Sequence, residues 1–197
     1  MNEKPSYLGL LNAVALGEKR AGEYLNCWAS VTTNPDVCKV IHTVALREAE
    51  HGLAFEKRVD ELGFALVDRP DPEQESKMAI ASSTTLTDRE KFEKLGLGRR
   101  QVEGKADIFD RFFENKDLDP TTGGLLGRYI AEERDTGRKF AACYEALCAA
   151  ESCEPQAMAG SARSGDSLAG LADQVATAGR QLADLVRDIA GALAEKR

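Results

Sequence analysis

Apolar side chains recur at steps of three and four residues along most of this chain, and polar residues fill the positions between them. This period is that of an α-helix with one buried face. The first apolar stripe predicts a helix from about Ser6 to Thr32. The second predicts a helix from Pro35 to about Gly63, with Asn34 as its cap. No stretch has the two-residue alternation of a half-buried strand, so the pattern predicts an all-α protein.

Two more long helices are predicted further along the chain. A longer connection, residues 64–86, includes a short helical stretch at about residues 75–82. The capping-box pattern T-x-x-E then opens a third long helix over about residues 87–115, and a fourth covers residues 120–147. The three connections between the four long helices are therefore a short turn, a long crossover and a short turn. This is one of the connectivities of four-helix bundles.

The last part of the chain has a different composition. Residues 152–166 are rich in Ala, Gly and Ser and predict a linker. Apolar residues then follow a coiled-coil-like spacing from Leu168 to Ile189. We therefore expect a bundle over residues 1–151, the linker, and a C-terminal amphipathic helix over residues 167–197. That helix either lies on the bundle or joins two copies in a homodimer.

Composition narrows the class of protein. Of the 197 residues, 43% are hydrophobic and 30% are charged, as in ordinary globular proteins. A net charge of −7 argues against a nucleic-acid partner. No apolar run approaches the roughly 20 residues that span a membrane, and residues 8–16 fit the start of a helix better than a leader. Five cysteines in no dense framework favour a cytoplasmic location.

Carboxylates interrupt the apolar stripes, where a solvated charge does not belong. Glu18, Glu48 and Glu133 occupy stripe positions, and a weak internal repeat aligns Glu18 with Glu103 and Glu48 with Glu133. His51 follows Glu48 by three residues, so both side chains can face one centre. Converging buried carboxylates repel one another unless cations neutralise them, and carboxylate with imidazole suits iron or manganese. These five residues are therefore the candidate metal ligands.

Each candidate ligand also has a simpler interpretation as part of a buried ion pair. For Glu103 that interpretation is a salt bridge to a neighbouring arginine. The arginines concerned are Arg99 and Arg100. Asp107 competes with Glu103 for the role of ligand, and Glu132 competes with Glu133.

The order Glu18, then E-x-x-H at Glu48 and His51, then Glu103, then Glu133 resembles the ferritin-like di-iron carboxylate superfamily of rubrerythrins and ferritins. The resemblance covers the whole predicted bundle and implies a ferritin-like four-helix fold. It also implies that Glu18 and Glu103 are terminal ligands, that Glu48 and Glu133 are bridging or terminal ligands, and that His51 is a nitrogen ligand. No catalytic residue beyond these ligands is implied.

One position departs from the symmetric rubrerythrin pattern, because Thr136 stands where a second His is expected. Ferritin-type centres function with one His, so the resemblance still implies an iron or manganese pair, mixed or partly occupied. The implied activity is that of a ferroxidase or peroxide scavenger reacting with O2 or H2O2, with a hydroxylase-type monooxygenase as an alternative within the same chemistry. The chain lacks the C-x-x-C pairs of a rubredoxin domain, so any reductase-coupled activity needs an external electron donor.

Two other interpretations of the sequence stay open. The bundle is a metal-free structural or interaction module acting through its C-terminal helix, or it is a subunit of an iron-storage cage. Among the residues near the candidate ligands, His42 lies on the opposite helix face and is not expected to bind metal. Tyr24 and Trp28 are expected to pack in the core rather than relay electrons. Gly52 and Gly137 are expected to permit close helix packing, with room for a small oxidant as the alternative.

Overall fold

The structure, a computed structural model, describes residues 4–98 and 117–152, and every regular element in this part of the chain is an α-helix. The helices are α1 (Leu8–Val31), α2 (Pro35–Glu61), α3 (Gln74–Ser82), α4 (Asp88–Lys94) and α5 (Pro120–Ser152). The all-α prediction is thus confirmed for the described residues, and a ferritin-like bundle is compatible with this order. In this part of the chain no helix is long and apolar enough to cross a membrane.

Local capping explains where α2 and α4 begin, as the sequence predicted. The Asn34 side chain accepts hydrogen bonds from the backbone N–H groups of Asp36 (3.0 Å) and Val37 (3.2 Å). At α4, Thr87 and Glu90 form the reciprocal capping box. Both arrangements satisfy N–H groups that the first turn of a helix leaves unpaired.

The predicted third long helix begins at its capping box, but it does not run unbroken over residues 87–115, so the prediction is wrong about its continuity after Lys94. Helix α4 ends at Lys94, and Gly96 follows with a φ of 69°. The N–H groups of Gly96 and Leu97 donate to carbonyls of the last turn of α4 at 3.2 Å and 2.9 Å. This pair of bonds is a Schellman motif, which terminates a helix where glycine adopts a positive φ.

Three predicted features lie outside the described residues. They are the remainder of the third helix with Glu103, the linker after Ser152, and the C-terminal helix over residues 167–197. The division into bundle, linker and C-terminal helix stays a prediction, and so does the homodimer.

The apolar core of the described helices forms two clusters, one on each side of the stripe carboxylates. The first cluster comprises Tyr7, Leu8, Leu11, Ala15, Phe55, Val59, Leu126, Tyr129 and Ile130. The second comprises Leu25, Trp28, Val37, Ile41, Val44, Ala45, Ala81, Phe92 and Phe140. On each of α1, α2 and α5, the candidate ligands come between the residues of the first cluster and those of the second. The polar site is therefore a layer between two apolar layers.

Helices α1 and α2 approach closely because glycine lies at two of their contact points. A Cβ on Gly22 would lie 3.1 Å from the backbone nitrogen of Ala49, and one on Gly52 would lie 3.0 Å from that of Lys19. Glycine inside a helix costs about 1 kcal/mol relative to alanine, and close packing accounts for that cost here. The packing role of Gly52 is confirmed. A Cβ on Gly137 would have no neighbour within 4 Å among the described residues, so the packing role expected of that glycine stays a prediction.

Candidate metal centre

Four of the five predicted ligands come together in the layer between the apolar clusters. Helix α1 supplies Glu18, α2 supplies Glu48 and His51, and α5 supplies Glu133. One ligand atom from each of them lies within 4.8 Å of the others. Metal–ligand bonds of about 2.0–2.2 Å put two ligands of one ion at most about 4.4 Å apart, so the four atoms are close to the spacing of a bound site. Glu103 lies outside the described residues.

Three atoms of this cluster are buried without a hydrogen-bond partner: Glu48 Oε2, His51 Nδ1 and Glu133 Oε1. The His51 Nδ1 atom lies 3.5 Å from each of the two oxygens. Buried polar atoms normally find partners, because leaving one unpaired costs about 1–3 kcal/mol. Three unpaired atoms that converge on one place fit a cation, which accepts both carboxylate and imidazole ligands.

Glu132 fixes the orientation of the His51 ring. Its Nε2 atom lies 2.6 Å from Glu132 Oε2, and Arg128 Nε in turn donates to Glu132 Oε1 at 3.1 Å. A carboxylate accepts the proton on Nε2, so Nδ1 is the nitrogen left to face the cluster. Metal-binding histidines commonly donate their second N–H to a carboxylate in this way.

Burial and mutual repulsion make Glu18 and Glu133 weak acids in the metal-free protein. Burial raises the pKa of Glu18 to about 10, and the neighbouring charges of Glu48 and Glu133 act in the same direction. The Tyr129 hydroxyl donates to Glu18 Oε1 at 2.7 Å and partly offsets this rise. Burial also raises the pKa of Glu133.

His51 and Glu48 shift toward their charged forms. Burial opposes the charge on His51, but the surrounding carboxylates of Glu133, Glu48 and Glu132 raise its pKa to about 10. Burial likewise opposes the charge on Glu48, but the neighbouring His51 and Glu18 groups lower its pKa. Near neutral pH the metal-free cluster therefore holds protons on Glu18 and His51 that a bound cation would replace.

The position of the missing second His is occupied by a polar link between α2 and α5. Thr136 is buried, and its Oγ1 accepts a hydrogen bond from Arg47 Nη1 at 2.9 Å. Arg47 also donates to the Glu132 carbonyl and to the Asp135 carboxylate, both at 3.0 Å. The cluster thus has an imidazole nitrogen on its His51 side and a hydroxyl on its Thr136 side.

A cavity of about 270 Å³ lies beside the cluster. The described residues that line it are Glu18, Ala21, Tyr24, Leu25, Glu48, Leu97, Glu133, Thr136, Gly137 and Phe140. Tyr24 therefore borders the site, whereas Trp28 packs in the core as predicted, with its Nε1 donating to Asp88 Oδ1 at 2.7 Å. His42 is exposed and is not part of the cluster, also as predicted.

Sequence reasoning missed Tyr129 and Arg47, and it named Glu132 only as a rival ligand to Glu133. Tyr129 packs edge-on against His51, with ring centroids 5.0 Å apart, besides donating to Glu18. One available signal was its place four residues before Glu133, on the same helix face. The roles of Glu132 and Arg47 depend on how α2 and α5 pack together, which periodicity does not give.

Removing the Glu132 carboxylate should weaken metal binding without removing a ligand. We expect Glu132→Ala to lower the affinity for Fe(II) by about 10–100-fold, because His51 loses the partner that orients it. Glu50→Ala is the matched control, since exposed Glu50 also pairs with Arg128 but lies outside the cluster. Equilibrium dialysis under anaerobic conditions measures both, and equal affinities for the two variants would contradict this role of Glu132.

Comparison with known proteins found no matching family model, no matching curated protein and no matching solved structure.

Proposed function

We propose that this chain is a ferritin-like metal protein that holds Fe(II) or Mn(II) and reacts with O2 or H2O2, as a ferroxidase or a peroxide scavenger. The observation that supports it most is the set of three buried, unpaired atoms on Glu48, His51 and Glu133. They belong to two helices, and Glu18 on a third helix completes the group. In the proposed site Glu103 adds a fifth ligand.

The ligand chemistry favours a redox-active transition metal over magnesium or calcium. Magnesium and calcium sites are built from oxygen ligands, whereas the imidazole of His51 suits iron and its neighbours in the first transition series. Three clustered glutamates supply the oxygen ligands and negative charge that a divalent cation needs. When bound, iron or manganese supplies the electrons that reduce the oxidant.

The protein residues have separate tasks in this proposal. Glu132 holds the His51 ring so that Nδ1 faces the cluster, and Tyr129 orients Glu18 through its hydroxyl. The apolar clusters on either side limit access of bulk water, which strengthens the attraction between carboxylates and cation. Glu18 and His51 give up their protons when the cation enters.

The two metal positions should differ in affinity, because only one of them has an imidazole. We expect the His51 side to bind tightly and the Thr136 side to bind more weakly. The first position would draw on Glu48, His51 and Glu133, and the second would depend on carboxylates alone.

Metal content and oxidant consumption test this function together. Protein from iron- and manganese-supplemented cells is expected to carry about two ions per chain, or about one when the Thr136 side has decayed. The Fe(II)-loaded chain should consume O2 or H2O2 faster than the same concentration of free Fe(II). Metal content by mass spectrometry and oxidant uptake by electrode measure the two quantities. No metal after reconstitution would overturn the proposal in favour of a metal-free interaction module.

A further inference from the structure

Four exposed residues recur every seven positions along α2 and define its outer face: Lys39, Leu46, Leu53 and Asp60. Seven residues are about two helical turns, so these side chains lie in line along the helix. Leu46 is 59% exposed and Leu53 is 62% exposed, and the only other large apolar side chain so exposed in the described ranges is Val67. The outer face is therefore apolar at its middle and charged at its two ends.

The outer face lies on the side of α2 away from the candidate metal centre. At about 100° per residue, its two leucines are about 140–160° around the helix from Glu48. Leu97, which comes shortly before residues 99–116, lines the cavity on the Glu48 side. The proposed fifth ligand, Glu103, would therefore lie across α2 from the two leucines rather than over them.

The charges at the two ends have opposite sign, which makes the outer face complementary to itself. Lys39 lies seven residues before the first leucine, and Asp60 lies seven residues after the second. When a second copy of the helix runs in the opposite direction, each lysine meets an aspartate and each leucine meets a leucine. Two parallel copies would instead bring like charges together, which costs affinity.

We propose that the outer face of α2 is an interface between two copies of this chain, related by a twofold axis that leaves their α2 helices antiparallel. Leu46 of each copy packs against Leu53 of the other, and Lys39 of each copy pairs with Asp60 of the other. A twofold axis gives each of these contacts twice. The inference does not rest on the proposed function, because no member of the metal cluster belongs to the outer face.

The residues at the axis are compatible with this contact. When Leu46 lies opposite Leu53, the axis passes between Ala49 and Glu50, which are both exposed. Alanine is small, and the Glu50 carboxylate is already paired with Arg128 Nη2 of its own chain at 2.5 Å. The centre of the interface therefore holds neither a bulky side chain nor an unpaired charge.

Reversal of the end charges tests the pairing directly. Lys39→Asp and Asp60→Lys should each weaken the dimer of the full chain at least about tenfold, because each variant places two like-charge pairs in the interface. An equimolar mixture of the two variants should form a heterodimer about as stable as the wild-type dimer, since every such pair then joins opposite charges. Sedimentation equilibrium over a series of concentrations measures the dissociation constants.

The leucines provide a second test with a matched control. Leu46→Asp should also weaken the dimer at least about tenfold, because it places a charge against an apolar side chain. Val67→Asp makes a comparable change at an equally exposed apolar residue outside α2 and should leave the dimer unchanged. Since all of these residues are exposed, the variants are expected to fold.

Three results would overturn the inference. One is a chain that stays monomeric throughout the concentration series. Another is a dimer whose dissociation constant is unchanged by Lys39→Asp, Asp60→Lys and Leu46→Asp, which would favour assembly through another part of the chain, such as residues 167–197. The third is a mixture of the two charge variants that dimerises no better than either alone, because the antiparallel pairing requires the mixture to recover.

Discussion

Glu48→Gln is expected to reduce bound Fe(II) to less than about a tenth of the wild-type level, a larger loss than removal of the orienting Glu132 should cause. The substitution keeps the size of the side chain but removes the charge at the middle of the cluster. Glu48 Oε2 is buried, unpaired and 3.5 Å from His51 Nδ1, so a neutral amide there cannot balance a divalent cation. Metal content per chain by mass spectrometry measures the effect.

The same change is expected to cost the metal-free protein some stability. A neutral glutamine relieves the repulsion of Glu18, but it also removes the attraction between the Glu48 charge and His51. A variant that still unfolds cooperatively but has lost its metal would therefore separate ligation from folding. Glu50→Gln is the matched control, because it makes the same substitution at an exposed position two residues further along α2. This variant should keep its metal.

The two histidines of the chain provide a second matched pair. His51→Ala should lose metal as Glu48→Gln does, and His42→Ala should retain it, because His42 is exposed on the same helix. Metal content that is unaffected by Glu48→Gln and by His51→Ala, with both variants folded, would show that the buried cluster is not the metal site.

The helical fold was predictable wherever one face of a helix meets the core. The length of the third helix was predicted wrongly, because Gly96 lies just after the end of α4. Gly22, Gly52 and Gly96 all stand in helical patterns. The first two let α1 and α2 approach, and the third ends α4 with a φ of 69°. Sequence spacing does not distinguish these uses, because the difference depends on which atoms the missing Cβ would meet.

Some residues of the site were predictable from their spacing along the chain, whereas others could be found only from how the helices pack. Glu18, Glu48, His51 and Glu133 were predictable because an acidic or basic residue on an apolar stripe needs a buried partner. Glu132 was considered only as a competing ligand, yet it reaches His51 across the contact of α2 and α5. Periodicity gives the face of a helix, whereas the partner helix and its register come from tertiary packing.

Raising the pH from about 6.5 to about 10 is expected to destabilise the metal-free protein. Both raised pKa values act in this direction, since His51 shifts from 6.5 to about 10 and Glu18 from 4.5 to about 10. In this range the folded state holds protons that the unfolded chain has released, so stability falls as pH rises. The unfolding free energy should drop by up to about 1.4 kcal/mol per pH unit for each such proton.

Urea unfolding at several pH values measures this slope, and two protons would give up to about 2.7 kcal/mol per pH unit. Glu18→Gln should lower the slope toward that of one proton. The lowered pKa values of Glu48 and Glu132 do not oppose the trend, because their effect on stability is complete above about pH 5. The metal-loaded protein should show a much smaller loss of stability over the same range, since its cation replaces both protons. The raised pKa values of His51 and Glu18 both require the unfolding free energy to fall over this range. A metal-free protein whose stability is constant or rises from pH 6.5 to pH 10 would therefore contradict the protonated cluster.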